Sequence, residues 1–109
     1  MGARARLPEC GFDPASTQFR EIPDTTRELV ELWVELMLSP GSVSDRPDAT
    51  TWSPLEYAVH IRDVLRIMLA RLNLMLVLED PEFLNWDQDE TAVLADYAHA
   101  DRSQTAVDL

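Results

Sequence analysis

The sequence contains no lysine; all nine of its basic residues are arginine. That excludes Schiff-base catalysis and a phosphate-gripping lysine. It has one cysteine, Cys10, so neither an internal disulfide nor a thiolate zinc site can form within one chain. Its three glycines are scattered, and there is no glycine-rich phosphate loop, no G-x-S-x-G and no C-x-x-C. The longest apolar run, residues 74–78, is far too short to cross a bilayer. The opening "MGARARLPEC" has two arginines without the apolar stretch of a secretory signal. Arg6 stands where N-myristoylation requires Ser or Thr. The expectation is a soluble, cytoplasmic protein with no membrane role.

What is present describes one small globular domain. The 109 residues are 46% hydrophobic and 27% charged, a balance that supports a core. The net charge of −11 and the pI near 4.3 have the wrong sign for exchanging counterions with phosphates, so nucleic acid is not an expected partner. Such an acidic surface is read as a device for solubility.

The periodicity is helical throughout, and the class is all-α. Residues 1–22 carry Pro8, Gly11 and Pro14 and no sustained period, which predicts an irregular N-terminal arm ahead of a helical domain over residues 23–109. In "IPDTTRELVELWVELMLSPG", Thr25 and Glu28 have capping-box spacing. Leu29, Leu32, Trp33 and Leu36 then recur at helical spacing, Glu28, Glu31 and Glu35 occupy another face, and Pro40-Gly41 ends the helix. Residues 39–51 read as a polar loop. A second helix opens with Ser53 as N-cap, Pro54 at the first position and Glu56 completing a capping box, and it runs towards Pro81. Ala58, Ile61, Leu65, Met68, Leu69, Leu72 and Leu76 share its apolar face, with His60 on the border. Short helices are expected over residues 89–97 and again from a cap at Ser103. Two long antiparallel helices leave half of each apolar face wet, whereas a closed bundle needs three or four.

The residues able to do chemistry are few. His60 is a candidate metal ligand, but it also suits the edge of a core. Asp63, three residues on, is turned about 60° away on the helix. His99 suits a helix end. The acidic run 87–90 lacks the glycine and distal glutamate of a calcium loop and reads as helix capping. Trp52 and Trp86 flank helix starts and read as packing anchors with their indole N–H groups towards polar partners. Cys10 has no histidine near it on any predicted element.

Taken together, "CGFD", "IPDTTRELVELW" and "WSPLEYAVHIRDVLRIMLARLNLMLVLEDPEFLNWDQDETAVLADY" resemble the first half of actinobacterial DinB-like proteins, a superfamily similar to the mycothiol-dependent maleylpyruvate isomerases. The likeness covers residues 10–97, and the W-S-P-x-E-Y…H-x-R-D-V…N-W-D-Q-D-E series is its most specific part. The resemblance implies an up-down-down-up four-helix bundle holding a divalent metal, zinc or nickel, on three histidines, with a thiol cofactor possible. The first ligand comes from the second helix, where His60 stands. Asp63, Asp87 and Asp89 become candidates for supporting that ligand or rimming its pocket. Two features depart from the pattern. The H-x-x-x-H motif that supplies the other two ligands is missing, and Leu7 replaces the first cysteine of a C-x-x-C pair before "GFD". The resemblance therefore implies a truncated DinB-like domain with an incomplete metal site and weak or no activity alone; a homodimer would rebuild four helices yet leave the site incomplete, and the alternative is a missing C-terminal half. The competing expectation is a small helical dimerisation or interaction module without catalysis.

Overall fold

The computed structural model describes residues 18–109, and every regular element among them is helical. The chain divides into two compact units between Leu32 and Trp33, a boundary that falls inside the first long helix.

In the first unit, a 3-10 turn over Phe19–Glu21 leads directly into α1, Ile22–Leu38. The Gln18 N–H donates to the Glu21 carboxylate at 3.4 Å, and the Glu21 N–H returns to the Gln18 carbonyl at 3.0 Å. The expected start at Thr25 is thus corrected. Pro23 sits in the first turn, where its missing N–H costs nothing and its fixed φ suits a helix. Residues 18–22 of the expected irregular arm are accordingly ordered, while residues 1–17, with Cys10 and "CGFD", lie outside the described residues. Leu29 and Leu32 are exposed here.

In the second unit, α1 ends at Leu38 and Gly41 takes a φ of +104°, a conformation open to glycine and strained for other residues. The following loop is tied to the next helix by a 2.8 Å bond from the Leu55 N–H to the Val43 carbonyl. α2, Pro54–Val77, opens as its sequence dictates: the Ser53 hydroxyl accepts the Glu56 N–H, and the Glu56 carboxylate accepts the Ser53 N–H. It stops short of Pro81, at the extended Leu78, and Asp80 takes a positive φ. The residue before a proline is pushed out of the helical region, so the break falls ahead of it.

Two shorter helices follow. α3, Gln88–Leu94, is capped by Asp87, and a left-handed Asp96 then turns the chain into a 3-10 turn, Tyr97–His99. α4, Arg102–Asp108, is capped by Asp101 rather than by Ser103; the aspartate accepts the Gln104 N–H at 2.8 Å. The expected helix over residues 89–97 is therefore two pieces, broken at Asp96.

α3, the 3-10 turn and α4 all pack against α2. The core they enclose is built from Met37, Val43, Leu55, Ala58, Val59, Ala92, Tyr97 and Ala106, with Trp33, Val34 and Trp52 against it. It therefore draws on the first turns of α2 and the last turns of α1. Along the rest of α2 no described residue covers the apolar face: Leu65, Met68, Leu69, Leu72, Met75 and Leu76 are all exposed.

Candidate functional site

His60 lies two turns into α2, between two indoles. Its ring stacks on Trp86 at 5.6 Å with an interplanar angle of 7°, and it meets Trp52 edge-on at 5.2 Å. Trp52 makes the same kind of contact with Tyr57 and Tyr97, so α2 carries an aromatic cluster at its start. Trp86 is held in place by the loop before α3. Its Nε1–H donates to the Thr91 hydroxyl at 2.7 Å, and that hydroxyl donates to the Asp87 carbonyl at 2.8 Å. Both tryptophans thus serve as packing anchors. The Nδ1 atom of His60 is buried and, among the described residues, meets no hydrogen-bond partner.

The carboxylates nearest in sequence are engaged elsewhere. Asp63 accepts from Arg62 Nε at 2.9 Å and, through its other oxygen, from the phenol of the fully buried Tyr97. Burial, and then this bond to Asp63, push the Tyr97 hydroxyl well above its ordinary range, so it stays a donor. Arg62 and Arg66 also reach Asp108, each at 3.8 Å, which joins α2 to α4. Asp87 Oδ1 accepts the N–H groups of Asp89 and Glu90, both at 3.0 Å, as a helix cap does. Asp89 sits on the rim of a cavity of about 170 Å³ shared with Thr50, Trp52, Tyr57 and Gln88. Trp52 also borders a second cavity of about 320 Å³, where Asp89 faces Arg46 and Glu56.

Among the described residues, no three His, Cys, Asp or Glu side chains are grouped so as to hold a metal ion. His60 supplies one nitrogen towards aromatic walls, Asp63 is taken up by Arg62 and Tyr97, and His99 is exposed beside Asp96 at 2.8 Å. A zinc or nickel ion needs about three converging protein donors. The described residues do not fit that group.

Two polar features escaped the sequence reading. Glu56, read there only as a cap, is 2% exposed and takes both a 2.8 Å and a 2.6 Å bond from the guanidinium of Arg46. These bonds hold its carboxyl below the usual carboxylate range although burial opposes them. Arg102 is the other. Its guanidinium donates to the carbonyls of Met37 at 2.8 Å, Gly41 at 2.5 Å, Ser39 at 2.7 Å and Leu36 at 3.4 Å, closing the C-terminus of α1. The Glu56 spacing signals a cap, but nothing local in the sequence couples it to Arg46 across the loop.

No family model, curated protein or solved structure matches this chain.

Proposed function

We propose that this chain is a DinB-like helical module that works by association, docking other helices on the apolar stripe of α2, and that it has weak or no metal-dependent activity alone. One observation carries this reading: the stripe from Leu65 to Leu76 is uncovered, with exposures running from 36% to 76%. Its members are large aliphatic side chains, and at about 1.5–3 kcal/mol for each when fully buried, on the order of 5–10 kcal/mol of burial is left unrealised. That rivals the whole stability of a small domain, and contiguous apolar faces of this kind mark sites of interaction.

The DinB-like part of the reading rests on the W-S-P-x-E-Y…H-x-R-D-V series and on the all-α fold. In such a protein a divalent metal would act as a Lewis acid towards a thiol or water. The resemblance assigns His60 to it, with Asp63, Asp87 and Asp89 as the supporting residues. The clamped ring and the engaged carboxylates favour association over that chemistry.

An apolar dye such as ANS tests the reading. At low protein concentration the dye is expected to light up on the full chain, and Leu69→Glu with Leu72→Glu is expected to abolish most of the signal. Added zinc or nickel, a chelator, or His60→Ala should leave it unchanged. A chain that ignores the dye, or a double variant that behaves like the parent, refutes association through α2. Stoichiometric metal binding lost in His60→Ala would restore the metal reading.

A further inference from the structure

We propose that the α2 stripe is covered by α1 of a second copy of this chain, each copy's α1 lying on the other's α2, so that two α1 and two α2 helices close around one core. This rests on the association reading above and names its partner.

Charge selects the occupant. α2 is the one described helix in which bases outnumber acids: Arg62, Arg66 and Arg71 against Glu56 and Asp63. Glu56 is already taken up by Arg46, and Asp63 pairs with Arg62 and Tyr97. That leaves Arg66, 58% exposed and reaching Asp108 only at 3.8 Å, and Arg71, bonded to the Leu84 carbonyl, as the positive charges beside the stripe. At 100° per residue, Arg62 and Arg66 flank one edge of the stripe and Arg71 the other. α1 is the complement. Its Leu29, Leu32 and Leu36 share one face and are exposed, and Glu28, Glu31 and Glu35 run beside them. An α2-on-α2 pairing about a two-fold axis is disfavoured, because antiparallel stripes set the Arg62–Arg66 edge of one copy against the same edge of the other. Placing α1 on the partner's α2 instead matches acid to base, and the two-fold axis uses the same contact twice. It also lets a chain of net charge −11 associate, since the attraction is local to the two faces.

The test uses the full chain with Cys10→Ser, which leaves no other cysteine. One preparation carries Leu32→Cys, another Leu69→Cys, and the two are mixed, equilibrated and gently oxidised. The expected product is the mixed disulfide, in excess over either homodimer, and sedimentation of the parent should give a dimer with micromolar affinity. Glu31→Arg should weaken that dimer about 10-fold, and Glu31→Arg with Arg66→Glu should recover most of it. Predominance of the Leu69→Cys homodimer disulfide overturns the proposal by showing α2 on α2. A chain that remains monomeric while still binding the dye also overturns it, yet leaves association with some other helix standing. Absence of dye binding at concentrations where the chain is monomeric would instead sink the reading beneath.

Discussion

Replacing Arg102 by alanine removes a donor from four carbonyls at the end of α1, of which Leu36 keeps its bonds from the Ser39 N–H and hydroxyl. The last carbonyls of any helix lack intrahelical partners, so something must satisfy them. Water can take over at the exposed Leu36 and Gly41. At Met37, 1% exposed, and at the half-buried Ser39 it cannot do so readily. Leaving those two unsatisfied, at about 1–2 kcal/mol each, gives an expected loss of about 2–4 kcal/mol. A cation near a helix C-terminus adds about 0.3–1 kcal/mol, which the variant also forfeits. Arg102→Lys restores the charge but not the planar fork, and should recover less than half. Urea titration followed by tryptophan fluorescence is the assay. At roughly 1–2 kcal/mol per molar, the midpoint of Arg102→Ala should fall by about 1–4 M. Hydrogen exchange should show the final turn of α1 opening first. A midpoint within about 0.3 M of the parent would falsify the view that this guanidinium closes the helix.

Tyr97→Phe removes the donor to Asp63 from a fully buried site and should destabilise by about 1–2 kcal/mol, read by the same titration; no change would mean the bond contributes nothing. Glu56 gives a pH dependence of defined sign. Its carboxyl is depressed in the folded state, so its stabilisation is present above the ordinary glutamate value and disappears as pH falls through the folded one. Thermal unfolding between about pH 6 and pH 3 should show stability dropping with acid, and Glu56→Gln should start lower and flatten that slope. An unaltered slope would assign the acid sensitivity to other carboxylates, such as Asp48, which Thr50 also holds low.

The capping grammar of α2 was legible residue by residue: Ser53, Pro54 and Glu56 satisfy one another within a single turn, so no distant part of the chain is needed. The helical class and the wet apolar faces were likewise local matters of spacing. The start of α1 was missed because the Gln18–Glu21 bonds form on a 3-10 turn that the Thr25–Glu28 spacing outranked. Asp96 broke the third helix through a left-handed backbone, which aspartate tolerates and which periodicity does not report. Neighbours within four residues along a helix are set by the sequence alone, because the 3.6-residue turn places them. What tertiary structure alone decided was how polar groups far apart in the chain were matched: Arg102 with the end of α1, Arg46 with Glu56, Tyr97 with Asp63, and two tryptophans around His60. Each burial had to find a partner that the packing brought near, and no spacing rule encodes that choice.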